Sequence, residues 1–398
     1  MPIASIDNPF PNGLNQPVNA SRGLLSGVGG NIDFVDQNKG ASRVQQYSVD
    51  LQRELPGNMA VSIGYTGAKG DHLSYGGTND AVININQLDP KYFALGSSLT
   101  QLVPNPFFGV TAAGALATQA NVQRGQLLRP FPQFLNVLAH QVSGGRSRYD
   151  AVITEFNKRV TGWWGGRASY TYSRLMDNQF GQSNYYSSTG NIENNYDPDH
   201  EYSYGAIDVP HKLVVAPIVL LPFGSGKRFL NRTGWVDQLV GGWTISMVAT
   251  RESGFPMAIT QSPNNSGLFG SFQRPNVVSG VAGQATTDIT AQLAVNLNDN
   301  QYLSTTAWSQ APAFTFGNAP RTDGNVRTPP RNQINVAFGK HIKTGGRTEG
   351  EFRAELLNAT GNPLYQAIPS TFGLGTFGQV RLLAGYMRVT ALTFRFRF

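Results

Sequence analysis

The amino-acid sequence predicts an all-β protein, an antiparallel transmembrane β-barrel with about nine to ten long strands. Three features of the 398 residues predict this fold class. Apolar and polar side chains alternate in several segments, and the connections between these segments alternate between short and long. The last segment, RVTALTFRFRF, stays apolar on one face. Side chains of a strand alternate with period two, so each such segment has one apolar and one polar face. A strand of about ten residues with these faces has the length that crosses a membrane at a tilt.

The composition is that of a turn-rich β protein with few charges. Gly occurs 45 times and Pro 23 times, and aromatic residues reach 11%. Charged residues make up 14%, well under the roughly 25% of a typical soluble domain. The chain has no Cys, which excludes disulfides and Cys-based metal sites. The net charge of +7 comes from scattered basic residues, so nucleic acid is not an expected partner.

Nine segments of the sequence fit the period-two pattern of a β-strand. In 58–67, for example, Met59, Val61 and Ile63 fall on one side of an extended chain and Ala60 and Ser62 on the other. Pro217 lies inside one candidate, where a missing N–H predicts a bulge. The nine candidates are 44–55, 58–67, 147–160, 163–174, 210–222, 243–250, 330–342, 347–358 and 386–398.

The connections between these strands alternate in length. Short turns are expected near 56–57, 161–162 and 343–346, with an intermediate one at 223–240, and long connections at 68–146, 177–209, 263–329 and 359–385. Short turns at one end and long loops at the other are typical of outer-membrane barrels. If the last strand ends in the periplasm, every long connection is extracellular.

The odd strand number makes a prediction about the N-terminal residues. Bacterial single-chain barrels normally have an even number of strands with both chain ends inside. Residues 1–42, which begin MPIASIDNPFPNG without signal-peptide features, are therefore expected to be the remnant of an extracellular loop. Residues 43–398 are expected to be the C-terminal portion of a larger barrel. The final strand is expected to close that barrel and to pair on both sides.

Several blocks of the sequence resemble a known family. They are ELPGNMAVSIGYTGAKGDHL (54–73), SRYDAVITEFNKRVTGWWGGRASYTYSRLMD (147–177), HKLVVAPIVLLPFGSGK (211–227), GGWTISMVATRESGFP (241–256) and FRAELLNATGNPLY (352–365). In combination they are similar to Oar-like TonB-dependent outer-membrane receptors, which carry a carboxypeptidase-regulatory-like domain. The resemblance implies a barrel of 22 strands, a plug in its lumen, and TonB-driven uptake of a large ligand.

The same resemblance implies the partners. They are outer-membrane lipid, the barrel assembly machinery, a plug domain and TonB reached through upstream sequence, and a large ligand such as an oligosaccharide, a peptide or a chelate. A plug, a TonB box and a regulatory-like domain are not found in this sequence, so they are expected upstream of it. No cofactor is expected.

An acidic stretch, NNYDPDHEYSYGAIDVPHK (194–212), is the one weak candidate for a metal site. Its carboxylates, Asp197, Asp199, Glu201 and Asp208, are oxygen ligands of the kind that Ca²⁺ prefers. The alternative, which the sequence favours, is a hydrogen-bonded loop folded back over the barrel mouth. No metal is therefore expected there.

Position along the strands suggests three further sets of residues. Arg167, Ser169, Thr171 and Ser173 form the polar side of one strand and are expected to face the lumen of the barrel, which is wet in a wide barrel. Aromatic residues near the periplasmic strand ends are expected in the interfacial girdle. They are Trp163, Trp164 and Trp243. In the last strand, Leu392, Phe394, Phe396 and Phe398 are expected to face lipid, and by resemblance they form the assembly signal.

Catalysis has no support in the sequence. There are five His residues, and neither HExxH nor GxSxG occurs. The favoured function is an outer-membrane receptor barrel of a Gram-negative-type bacterium that captures a large ligand with extracellular loops. The alternatives are a non-transporting barrel used for adhesion and a soluble secreted β-sandwich that binds carbohydrate.

Overall fold

The computed structural model describes residues 23–76, 81–180, 192–267, 272–285, 300–343, 348–380 and 388–397, together with Asp7 and Pro11. The chain divides into two compact units. The larger unit comprises Val35–Ile83, His140–Ser266 and Ser271–Phe398, and the smaller comprises Met1–Phe34, Asn84–Ala139 and Gly267–Gly270. No helix in the described part of the chain is both long and apolar enough to cross a membrane.

The larger unit is built on one antiparallel sheet whose nine long strands lie side by side in chain order. The strands are β1 (Arg43–Leu55), β2 (Met59–Leu73), β3 (Gly145–Thr161), β4 (Trp164–Asp177), β5 (His211–Leu220), β6 (Trp243–Glu252), β7 (Arg331–Lys343), β8 (Glu349–Leu357) and β9 (Val389–Arg397). A two-residue strand, Ser203–Tyr204, also pairs with the end of β4. The predicted all-β fold with nine long strands is confirmed.

The two ends of the sheet differ as predicted. The connections at one end are 56–58, 162–163, 221–242 and 344–348, and those at the other end are 74–144, 178–210, 253–330 and 358–388. We call these the short-connection end and the long-connection end. Because neighbouring strands are antiparallel, successive connections must fall at opposite ends.

The register of the strands aligns their apolar sides across the whole sheet. Directly paired residues of antiparallel strands lie on the same face. One row of paired residues runs through Val61, Phe156, Ala168, Val215, Ala249 and Ile334, and a second through Ile245, Phe338, Ala354 and Leu392. We call this side the apolar face.

The opposite side, the polar face, is continuous in the same way. One of its rows runs through Gln52, Ser62, Glu155, Ser169, Val214, Thr250 and Gln333. Among the described residues the nine strands form a single sheet, with no second large sheet to cover the apolar face. This single large sheet differs from the two packed sheets of the β-sandwich alternative.

The bulge predicted at Pro217 is absent. Pro217 is directly opposite Gly166 of β4, and the register with β6 is the same before and after the proline, at Val215 and at Ile218. Gly166 has a φ of +147°, and a Cβ atom there would lie 2.7 Å from the Cα atom of Pro217. A glycine on the neighbouring strand therefore makes room for the proline, and the strand needs no extra residue.

The two edges of the sheet remain open within the described residues. β1 pairs only with β2, and β9 pairs only with β8. The expected pairing of the last strand on both sides is therefore not made within this part of the chain. Open edges present unpaired N–H and C=O groups, which a membrane-spanning sheet has to satisfy with further strands.

The described parts of the long connections are folded. In 253–330 and 358–380, short strands pair as Pro256–Met257 with Asp323–Arg327, Thr260–Gln261 with Thr371–Phe372, and Asn276–Val277 with Trp308–Ser309. They surround an apolar core of Met257, Ile259, Tyr302, Leu303, Ala307, Trp308, Val326, Tyr365, Ile368, Phe377 and Val380. We call the described residues of 253–330 and 358–380 the loop cap. A 3₁₀ turn, Pro198–Glu201, and a short helix, Trp235–Val240, lie in the other connections of this unit.

The smaller unit consists of short elements around its own core. It contains the 3₁₀ segments Pro90–Thr100 and Thr111–Thr118, the helix Arg124–Leu127, and the paired strands Leu102–Pro104 and Asn121–Gln123. Two short strands, Ile32–Val35 and Val137–His140, lie mostly in this unit, and a third, Ala81–Asn84, lies mostly in the larger one. The core is formed by Ala113, Leu116 and Val122.

Gly29 and Arg129 show how closely this unit is packed. Gly29 has a φ of +79°, and a Cβ atom there would lie 1.8 Å from the carbonyl oxygen of Ala113. Only glycine fits that position. The Nε atom of Arg129 donates to the carbonyl oxygen of Asn86 over 2.6 Å, and burial lowers the pKa of Arg129 to about 10.

Candidate functional site

The predicted lumen-facing residues lie together on the polar face of β4. A guanidinium nitrogen of Arg167 is 3.7 Å from a carboxylate oxygen of Glu155 on the neighbouring strand. Ser173 lies at the long-connection end, is buried, and donates through Oγ to the carbonyl oxygen of Val209 over 2.8 Å. These four residues therefore lie on the polar face of the sheet. That Arg167, Ser169, Thr171 and Ser173 face a lumen stays a prediction.

The three predicted interface aromatics lie at the short-connection end. The rings of Trp163 and Trp164 are 6.1 Å apart, and the ammonium group of Lys158 lies 4.9 Å from the ring centre of Trp164. Trp243 starts β6 and donates through Nε1 to the carbonyl oxygen of Leu239 over 2.9 Å. An amphipathic ring that meets both lipid and water favours such a position. The girdle itself stays a prediction.

The C-terminal residues continue the apolar face to the edge strand. Phe394 is directly opposite Phe352, and Leu392 is directly opposite Ala354. The exposed fractions are 69% for Leu392, 66% for Phe394 and 51% for Phe396, which is the state expected of side chains that meet lipid. Phe398 lies outside the described residues. The role of these residues in assembly stays a prediction.

The acidic stretch pairs with arginines rather than forming a cluster of ligands. Asp199 lies 2.9 Å from Arg146. Asp208 accepts a hydrogen bond from the backbone N–H of Leu175 over 2.6 Å. In the described ranges no three His, Asp or Glu residues lie close enough to hold a metal ion. The hydrogen-bonded loop over the barrel mouth stays a prediction for Asp197, Asp199, Glu201 and Asp208.

Buried arginines join the loop cap to the 178–210 connection and to the end of β4. The side chain of Arg321 is fully buried. Its guanidinium contacts the Asp177 carboxylate and donates to the carbonyl oxygens of Gln179 and Glu201, over 2.8 and 3.0 Å. A buried charge of this kind is stable only when it is paired and hydrogen-bonded. The three pairs are Arg274 with Glu201, Arg321 with Asp177 and Arg327 with Asp208, each with a nitrogen–oxygen distance of 2.6 Å.

Glu193 lies beside this network. Its carboxylate accepts a hydrogen bond from the backbone N–H of Arg274 over 2.7 Å, and the guanidinium of Arg274 is 3.9 Å away. Burial raises the pKa of Glu193 above its ordinary value of 4.5, more than Arg274 lowers it. Burial likewise lowers the pKa of Arg321. The side chains of Arg274 and Glu193 are only 4% and 5% exposed, so this network is largely removed from water.

A cavity of about 350 Å³ opens at the long-connection end of the polar face, and we call it the mouth pocket. Lys212, Glu252 and Arg331 lie side by side on β5, β6 and β7. Glu252 is 3.6 Å from Lys212 and forms a salt bridge with Arg331. The remaining lining residues are Thr250, Asn332, Gln333, Asn358, Asn362, Pro363 and Leu364.

The turn that forms the wall of the mouth pocket is held by asparagines. The backbone N–H of Asn358 donates to Oδ1 of Asn335 on β7 over 2.8 Å. Asn362 donates through Nδ2 to the carbonyl oxygen of Asn332 over 3.2 Å. Asn358 has a φ of +50°, a conformation that asparagine tolerates better than most residues. The charged lining residues carry no signal in the sequence, because only the register brings Lys212, Glu252 and Arg331 together.

A single antiparallel sheet with one continuous apolar face, and with long connections gathered at one end, defines an outer-membrane β-barrel protein. The family comparison agrees with this class. The model of the outer membrane beta barrel domain matches residues 1–389, so the chain belongs to that family, and its location is the outer membrane. No protein of curated function matches the sequence.

Two solved structures are similar to this chain at low identity. The outer membrane transporter YddB from Escherichia coli is 7% identical with a TM-score of 0.44, and the match covers 93% of this chain and 34% of that one. The FpvA protein of P. aeruginosa, solved with heterologous pyoverdines, is 9% identical with a TM-score of 0.36, and the match covers 89% and 27%. This chain thus spans about a third or less of the length of these proteins.

Proposed function

We propose that the chain is the C-terminal barrel portion of an Oar-like TonB-dependent receptor. The observation that carries the proposal is the nine-stranded sheet with a continuous apolar face and open edges at β1 and β9. Further strands, a plug and the contact with TonB would come from upstream sequence. Residues 1–42 would then be the end of an extracellular loop, and residues 43–398 the last part of the barrel.

In this proposal the long connections lie outside the cell and capture a large ligand. The loop cap and its buried arginine pairs give those connections a fixed shape, and a preorganised surface loses less entropy when a ligand binds. The ligand then passes along the polar face after the plug rearranges. Nothing in this arrangement calls for catalysis, and the chain is proposed to be a receptor rather than an enzyme.

Energy-dependent uptake tests this function. Cells that express the full-length gene would be given fluorescent oligosaccharides, peptides and iron chelates, and accumulation would be measured with and without a protonophore. TonB-driven transport predicts accumulation that the protonophore abolishes and that a gene deletion removes. If the probe binds the cell surface equally with and without the protonophore and does not accumulate inside, the result would support the non-transporting adhesion barrel instead.

A further inference from the structure

The mouth pocket has more positive than negative charge. Its charged lining residues are Lys212, Glu252 and Arg331, and its other lining residues are neutral. The Glu252 carboxylate is buried, with 6% of the residue exposed, and Arg331 forms a salt bridge with it. Because one carboxylate stands against two cations, one positive charge remains for a bound group to neutralise.

Lys212 is the cation best placed to bind a further group. Half of its side chain is exposed. Its Nζ atom is 3.6 Å from Glu252, longer than the about 3.2 Å limit of a direct hydrogen bond. An ammonium group carries three N–H donors. A contact this long with one carboxylate oxygen leaves Lys212 able to donate to a ligand.

Neutral polar side chains lie next to these cations. Thr250 and Gln333 are directly opposite each other on the polar face and line the same cavity. Within the part of the chain that the structure describes, neither side chain forms a hydrogen bond. A carboxylate or a phosphate accepts several hydrogen bonds at once, and charged donors give the strongest of them.

We propose that the mouth pocket binds an oxyanion group, a carboxylate or a phosphate, of the captured ligand. Lys212 and Arg331 provide the positive charge, and Thr250 and Gln333 provide additional hydrogen bonds. Arg331 forms a salt bridge with Glu252, and its positive charge adds to the attraction for an anion. The inference rests on the proposed capture of a large ligand, and it assigns the chemistry of one ligand group.

The test is binding of small oxyanions to the full chain in detergent micelles. Inorganic phosphate and, separately, acetate would be titrated by calorimetry at constant ionic strength, and the probe that binds identifies the group. Lys212→Gln is expected to weaken binding about tenfold, the effect of losing one charge-assisted hydrogen bond. Lys227→Gln is the matched control, because it removes the same charge from the exposed turn at the short-connection end.

A second variant is expected to act in the opposite direction. Glu252→Gln keeps the shape of the side chain but removes the competing negative charge, so a folded variant should bind the same anion more tightly. The proposal is overturned if the unchanged protein binds neither probe, or if Lys212→Gln and Lys227→Gln have equal effects. Both measurements are made without transport, so a failed anion site beside protonophore-sensitive uptake would leave the proposed function intact.

Discussion

At the scale of residues, the buried arginines have the largest energetic consequences. Arg321 has no exposed side-chain surface, and it meets the Asp177 carboxylate and several carbonyl oxygens. Removing one partner of such a pair leaves an uncompensated buried charge, and that loss exceeds the net value of the pair itself. Sequence separation explains why these pairs could not be predicted, since Asp177 and Arg321 lie 144 positions apart.

Replacing Arg321 should therefore destabilise the loop cap strongly. Arg321→Ala is expected to lower the free energy of unfolding by about 3–5 kcal/mol, measured by urea titration in detergent with tryptic cleavage of the cap as the probe. Arg167→Ala, which removes a largely exposed ion-pair partner, should change it by less than about 1 kcal/mol. Similar losses for the two variants would show that the Arg321 network does not hold the cap together.

The raised pKa of Glu193 predicts a dependence of stability on pH. The folded protein holds the Glu193 proton more tightly than the unfolded chain does, because burial disfavours the charged carboxylate. Stability should therefore fall as the pH rises above the ordinary pKa of 4.5 and level off once the raised pKa is passed.

Glu193→Gln should remove this loss, since the amide keeps the shape and cannot ionise. Below pH 4.5, the ordinary pKa of the group, the two proteins should unfold at similar urea concentrations. At neutral pH the variant should be the more stable one. An unchanged pH slope in Glu193→Gln would show that Glu193 is not the group responsible.

At the scale of elements, the strands were predictable because each carries its own signal. The alternation in 243–250, WTISMVAT, places Met247 on one face and Ser246 on the other without any knowledge of neighbours. The predicted strand ends agree with the structure to within a few residues, except that β2 continues to Leu73. Pro217 shows the limit of this reasoning, because its effect depends on the glycine opposite to it on β4.

Two neighbouring residues of β6 test which face meets lipid. Met247 is paired with Val336 on the apolar face, and Ser246 is paired with Ala337 on the polar face. An arginine at a lipid-facing position near the bilayer centre costs about 2–4 kcal/mol. Met247→Arg should therefore reduce the folded protein in the outer membrane, measured by heat-modifiable mobility on gels.

Ser246→Arg is the matched control, with the same added charge one position away. It should accumulate in the membrane at nearly the unchanged level, since the polar face already carries charged residues such as Glu155 and Arg167. A greater loss with Ser246→Arg than with Met247→Arg would reverse the assignment of the two faces.

At the scale of the whole molecule, the sequence predicted where the long connections lie but not how they fold. The end of the sheet at which each long connection lies can be predicted, because it depends only on the order of the strands and on their alternating direction. The loop cap depends on contacts such as the ring of Trp308 against Phe377, with centres 5.4 Å apart, between positions that no periodic pattern relates. The mouth pocket could not be predicted for the same reason, because its charged residues come from three different strands.

The orientation of the sheet in the outer membrane is the central claim, and single cysteines test it most directly. The chain has no Cys, so one reporter can be placed at each end without background. Leu374 is exposed and lies in the 358–388 connection, where Leu374→Cys places one reporter. Ser225 is exposed and lies in the 221–242 connection, where Ser225→Cys places the other. Intact cells would be treated with a maleimide that does not cross the outer membrane, and lysed cells would serve as the control. We predict labelling of Leu374→Cys in intact cells and labelling of Ser225→Cys only after lysis; the reverse pattern would contradict the account.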